Sequence, residues 1–170
     1  MISRRAFIQT GLIGAATLAV AGGVYRFTLG QPPQRFQLDT AAAAALAAIV
    51  PAMLQGALPA PPPAATIAAG ITRTHAAIAG LPLRTQKEIS DLFALLTLAP
   101  TRRLLAGVAD DWPNAKLADV AAFLQSWRMH RFGMLQSAYQ ALHDLIIGAW
   151  YSDESAWPAI GYPGPIPLPH

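Results

Sequence analysis

Residues 117–150 read LADVAAFLQSWRMHRFGMLQSAYQALHDLIIGAW and predict two amphipathic helices. Nowhere in the chain do polar and apolar residues alternate for long enough to predict a strand. The sequence therefore predicts an all-α fold, a small irregular helical domain. The apolar residues at helical spacing are Leu117, Val120, Ala121, Leu124 and Trp127 in the first helix, and Leu135, Ala138, Leu142, Leu145 and Ile146 in the second.

Further helices are predicted upstream of residue 117. Pro51 is expected to kink or end the first of them, and Gly80 to end the second as the residue after its C-cap. The proline-rich residues 58–63 are expected to be extended. Capping residues, prolines and apolar spacing place the helical segments at 39–53, 64–78, 84–98 and 101–106.

Length and composition exclude several classes of protein. The chain has 170 residues, of which 54% are hydrophobic and 12% charged, which suits one folded domain and not a disordered chain. It contains 0 cysteines. Disulfide scaffolds, thiolate zinc sites, iron–sulfur clusters, cysteine nucleophiles and covalent c-type haem attachment are therefore excluded.

The positive charge of the chain does not indicate nucleic-acid binding. Lys and Arg number 12 against 9 Asp and Glu, but Arg4 and Arg5 belong to the N-terminal segment described next. The rest of the chain is nearly neutral, and its basic residues are scattered, with no basic stripe interleaved with aromatic residues. We therefore expect no nucleic-acid partner.

The N-terminus has the pattern of a bacterial twin-arginine export signal. Ser3, Arg4, Arg5 and Phe7 supply its motif, and no charge follows between Ala6 and Tyr25. We therefore assign residues 1–30 as a signal or N-terminal anchor and 31–38 as a linker. Cleavage after Ala21 and retention as a bilayer-spanning anchor both stay open, as does an ordinary helix start capped by Ser3.

The C-terminus breaks the helical pattern that we assign to residues 39–152. Residues 153–170 contain Pro158, Pro163, Pro165, Pro167 and Pro169, so we expect an extended tail and not a helix. The tail also carries aromatic and aliphatic residues, which disordered tails rarely contain. Two alternatives follow: the tail folds back over its own helices, or it docks on another protein.

The sequence contains no nucleotide-binding, hydrolase or zinc-protease motif. Tyr139 and His143, one helical turn apart, are the candidates for a free-standing enzyme or ligand-binding protein, with Arg131 as a third member. Trp127, Arg128 and Arg131 are of the types enriched in interface hot spots. The alternative for this cluster is one solvated face of a long helix.

Both ends of the chain resemble a known family. The segments that carry the resemblance are Ser3-Arg4-Arg5-Ala6-Phe7, Ala149-Trp150-Tyr151-Ser152-Asp153 and Trp157-Pro158-Ala159-Ile160-Gly161-Tyr162-Pro163-Gly164-Pro165. They look like the small subunit of bacterial membrane-bound FAD-dependent sugar and polyol dehydrogenases, the FAD-dependent D-sorbitol dehydrogenase small-subunit family. The alanine-rich body adds little to this resemblance.

The resemblance implies a non-catalytic accessory subunit, a chaperone-like escort that binds no cofactor itself. Its partners would be a large FAD-containing dehydrogenase subunit of the glucose–methanol–choline type, a multihaem cytochrome c subunit with c-type haem, and the twin-arginine translocase. The heterotrimer would lie at the periplasmic face of the bacterial cytoplasmic membrane. Because burial of aromatic area favours binding, we expect the partner interface to include Trp150, Tyr151, Trp157, Tyr162, Pro163, Gly164 and Pro165, together with the Trp127, Arg128 and Arg131 cluster.

Overall fold

The computed structural model describes residues 34–165, and within that range the chain forms helices and connecting turns without any strand. This confirms the predicted all-α fold. No helix in this range is long and apolar enough to cross a membrane. The five long helices, numbered α1 to α5, are Thr40–Met53, Ala64–Ala79, Leu83–Thr97, Leu117–Arg128 and Gly133–Tyr151.

Some of the sequence predictions concern residues outside this range. The export signal with Ser3, Arg4, Arg5 and Phe7, the alternative anchor and most of the linker fall within residues 1–33. The end of the predicted tail falls within residues 166–170. These predictions lie outside the described residues.

Helix α1 is the centre of the fold and packs against each of the other four long helices. Asp39 is the N-cap of this helix, and its carboxylate accepts a hydrogen bond from the backbone N–H of Ala42 at 2.7 Å. The helix continues two residues past Pro51 and ends at Met53. Its apolar face is buried completely, with Ala45, Leu46, Ile49 and Val50 each at 0% exposure.

Gln86 fixes the segment before α1, the end of α2 and the start of α3 to one another. Its side chain is buried, and its Oε1 accepts a hydrogen bond from the backbone N–H of Phe36 at 2.9 Å. Its Nε2 donates to the carbonyl oxygens of Ala79 at 3.1 Å and Leu81 at 2.8 Å. The prediction that Gly80 follows the C-cap is wrong by one position: Gly80 is itself the C-cap of α2, and its backbone is right-handed (φ −77°) and not left-handed.

The segment between α3 and α4 differs from the short helix predicted at residues 101–106. A short α-helical turn at Ala99–Thr101 continues as a π-helical turn at Arg102–Ala106. The hydroxyl of Thr101 donates to the carbonyl oxygens of Leu95 and Leu98, which ties this turn to the end of α3. Gly107 then reverses the chain with a left-handed backbone (φ 69°), a conformation that glycine adopts without steric cost.

Two buried tryptophans connect this segment to the core. Trp112 Nε1 donates to the carbonyl oxygen of Leu96, and Trp127 Nε1 donates to that of Leu105, both at 2.9 Å. Phe123 lies between the two rings, edge-on to Trp127 at 4.8 Å between centroids. Each indole therefore buries a large apolar surface and also satisfies its single polar hydrogen.

Two proline-rich segments are less extended than predicted. Residues 58–63 bend at Leu58, Ala60 and Pro61. In the C-terminal segment, Glu154–Ala156 and Pro158–Ile160 form single 3-10 turns. Proline is compatible with the first position of such a turn because the N–H it lacks would have no partner there.

Candidate partner-binding surface

Residues 153–165, which we call the C-terminal cap, fold around Trp157. The Trp157 Nε1 donates to the carbonyl oxygen of Tyr151 at 2.9 Å, and its ring meets the Tyr162 ring edge-on at 5.1 Å between centroids. Gly164 has a left-handed backbone (φ +99°), and a Cβ added to it would lie 3.3 Å from the Trp157 ring. Glycine at 164 therefore allows the chain to pass close to the indole.

Arg73 of α2 attaches the C-terminal cap to the helical body. Its guanidinium forms an ion pair with Asp153 at 2.9 Å, donates to the hydroxyl of Ser155 at 3.1 Å, and lies over the Trp150 ring at 4.9 Å from the centroid. Hydrogen bonds from the Ser155 hydroxyl and backbone N–H, together with the Arg73 charge, lower the pKa of Asp153. Asp153 is therefore ionised, and the ion pair intact, at neutral pH.

The structure places the residues of the predicted interface in three environments. Trp150, Tyr151, Trp157 and Gly164 are half-buried. Tyr162 is exposed, and Pro163, Pro165, Arg128 and Arg131 are exposed with it. Trp127, which was predicted to lie on the interface, is instead 3% exposed because its indole fills the core, so it offers almost no surface to a partner.

A groove of about 740 Å³ separates α3 from α5. We call it the α3–α5 groove; its walls run from Thr85 to Leu96 on α3 and from Met134 to Leu145 on α5. Both helices pack mainly on other elements, which holds their facing sides apart. Most of the lining residues are aliphatic, Trp127 forms part of the lining from the core side, and Thr85, Thr101 and Ser137 contribute hydroxyl groups.

The charged residues that line the α3–α5 groove are all acidic. Glu88, Asp91 and Asp144 contribute carboxylates, and no Lys, Arg or His of the described chain lines it. Asp91 is paired with Lys87 at 2.9 Å, whereas the Asp144 carboxylate is bound by His143 at 2.9 Å and by Gln140 at 2.7 Å. The hydrogen bond from His143 is the main reason that the pKa of Asp144 is lowered. The groove is therefore an apolar surface with an acidic border.

The residues considered for an enzyme are only partly brought together. The Tyr139 and His143 rings lie 5.9 Å apart, and His143 contacts Asp144. Arg131 instead lies over the Phe132 ring, at 4.9 Å from its centroid. Within residues 34–165 no group of three His, Asp or Glu side chains could hold a metal ion.

Sequence reasoning missed Arg73 and the α3–α5 groove. Arg73 is the one charged residue in α2, and a single charge in an otherwise uncharged helix was the available signal that it has a specific partner. The groove has no comparable signal. It results from the way α3 and α5 are held by other helices.

Comparisons of the chain with protein-family models, with curated proteins and with solved structures found no match.

Proposed function

We propose that this chain is a non-catalytic accessory subunit of a membrane-bound, flavin-dependent sugar or alcohol dehydrogenase complex. It binds and stabilises a folded FAD-containing subunit of the glucose–methanol–choline type, and it escorts that subunit through the twin-arginine pathway. A multihaem cytochrome c is the expected third subunit. The complex then stays at the periplasmic face of the cytoplasmic membrane.

The observation that carries this proposal is the exposed apolar surface of the C-terminal cap. Ile160 is 54% and Tyr162 44% exposed, although the segment that holds them is fixed by Trp157 and Arg73. A surface that is already ordered loses little conformational entropy when it binds, and burying its tyrosine removes a large apolar area from water. The cap is also the region that carries most of the family resemblance.

The first experiment is affinity purification of the tagged chain from its native membranes in a mild detergent. The proposal predicts a co-purifying subunit with FAD absorbance, with or without c-haem bands. A colourless chain that purifies alone contradicts the proposal. If that solitary chain has activity or a bound ligand of its own, the alternative built on Tyr139, His143 and Arg131 replaces it.

Matched variants locate the interface on the C-terminal cap. Ile160→Ala and Tyr162→Ala are expected to release the flavoprotein while far-UV circular dichroism stays unchanged, because both side chains are exposed. Leu117→Ala is the control, because Leu117 is 43% exposed, close to the 44% of Tyr162, but lies at the start of α4, away from the cap in sequence. Retention of the flavoprotein by both cap variants would show that the cap only packs against its own chain.

A further inference from the structure

We infer that the α3–α5 groove is a docking site for an amphipathic helix of the partner subunit, with an apolar face that enters the groove and Lys or Arg residues along its flanks. The inference rests on the proposed function in one respect: the helix belongs to the subunit that this chain escorts. It concerns a surface distinct from the C-terminal cap.

Some of the apolar residues that line the groove are exposed to solvent. Met134 lies in its lining and is 75% exposed, and Leu105, also in the lining, is 38% exposed. Exposed apolar side chains that continue into an apolar groove are typical of a surface that a partner covers, and methionine adapts its shape to a bound side chain.

The dimensions of the groove match a short helix. Its lining spans Thr85 to Leu96 on one wall and Met134 to Leu145 on the other, so each wall covers the same number of positions. At the helical rise of 1.5 Å per residue each wall is roughly 16 Å long, which equals about three turns of a docked helix. Three turns present apolar residues at i, i+3 or i+4 and i+7, the pattern by which helices bind in grooves.

The acidic border of the α3–α5 groove favours basic residues on the flanks of the docked helix. Glu88 and Asp144 lie on opposite walls, and Asp91 adds a third carboxylate that Lys87 partly neutralises. Two acidic walls favour a helix with basic residues on both sides of its apolar face, and they disfavour an anionic ligand such as a fatty acid.

The test uses two fluorescein-labelled model peptides and the full chain in a non-ionic detergent. Both peptides carry leucines at i, i+3, i+4 and i+7; one has lysines along its flanks and the other has glutamates at the same positions. We expect the lysine peptide to bind at least about tenfold more tightly by fluorescence anisotropy at low salt, and this difference to shrink at high salt. Equal binding of the two peptides, or no binding of the lysine peptide, overturns the inference.

Variants of the chain test the groove itself. Glu88→Lys combined with Asp144→Lys should reverse the preference, so that the glutamate peptide binds more tightly. Ala141→Phe should abolish binding of both peptides because Ala141 lines the groove, whereas Ala94→Phe on the exposed side of α3 should not. If sedimentation shows a dimer that Ala141→Phe converts to a monomer, a second copy occupies the groove and the inference is wrong.

The two proposals fail in different ways. The peptide assay needs no native partner, so its outcome does not depend on whether a flavoprotein co-purifies. Wild-type chain that co-purifies with the flavoprotein but does not bind the lysine peptide would contradict only the groove assignment. Wild-type chain that binds the peptide but purifies alone from native membranes would contradict the accessory role and the origin of the helix, but not the groove as a helix-binding site.

Discussion

Replacing Gly70 by alanine should destabilise the protein, although the same change normally stabilises a helix. Gly70 lies in α2 where that helix approaches α1, and a Cβ added to it would lie only 2.7 Å from Cγ1 of Val50. Val50 is 0% exposed and β-branched, so its side chain has one preferred rotamer in a helix and no space into which to move.

The magnitude follows from two opposing effects. Exchanging glycine for alanine in a helix interior contributes about 1 kcal/mol of stability. Forcing an extra methyl group into a packed core costs about 1–3 kcal/mol. Because the clash here is with a rigid, buried side chain, we expect the higher part of that range and a net loss of about 1–2 kcal/mol. For a chain of this size that lowers the melting temperature by about 2–8 °C.

Thermal unfolding followed by far-UV circular dichroism measures this loss, and Gly148→Ala is the matched control. Gly148 lies inside α5, and a Cβ added to it has nothing within 4 Å, so the same substitution should raise stability by about 0.5–1 kcal/mol. In a Val50→Ala background the clash is removed, and Gly70→Ala should then become stabilising. If Gly70→Ala has the same effect in both backgrounds, the close approach of α1 and α2 is not its cause.

Three further predictions concern named contacts. Gln86→Leu should cost about 3 kcal/mol because it removes three hydrogen bonds of a buried side chain, whereas the exposed Gln125→Leu should change chemical-denaturation stability by less than about 0.5 kcal/mol. The pKa of Asp153 is lowered below its ordinary value of 3.8. The stability that Asp153 contributes is therefore present above pH 3.8 and is lost as the pH falls through the folded-state pKa. Asp153→Asn should remove this part of the acid dependence of the melting temperature. Trp127→Phe should lower the free energy of unfolding by about 1–2 kcal/mol through loss of the hydrogen bond to Leu105; an unchanged free energy in chemical denaturation would contradict this role of the indole N–H.

The helices were predictable because each satisfies a local rule. Asp39 caps α1 through a neighbour three positions away, and the apolar spacing of α4 and α5 buries Val120, Leu124, Leu142 and Ile146 as expected. Such signals depend only on residues within one or two turns. They can therefore be recognised in the sequence without knowledge of the rest of the fold.

The surface features were not predictable because they depend on contacts between distant residues. Trp127 is of a residue type that is common in interfaces, and the sequence does not show that its indole is buried. That burial depends on Leu105, a residue of another element, whose carbonyl oxygen accepts a hydrogen bond from the indole N–H. Arg73 meets Ser155 from 82 positions away in the sequence. The α3–α5 groove depends on how α1, α2 and α4 hold its two walls, which no local pattern specifies.

The attachment of the cap by Arg73 makes the structure of the cap depend on the folding of the helical body. Arg73 reaches Asp153 and Trp150 only after α2 and α5 have docked, so an unfolded or half-folded chain does not display the cap in this form. In the proposed complex, the flavoprotein would therefore bind this chain only after the helical body of the chain has folded.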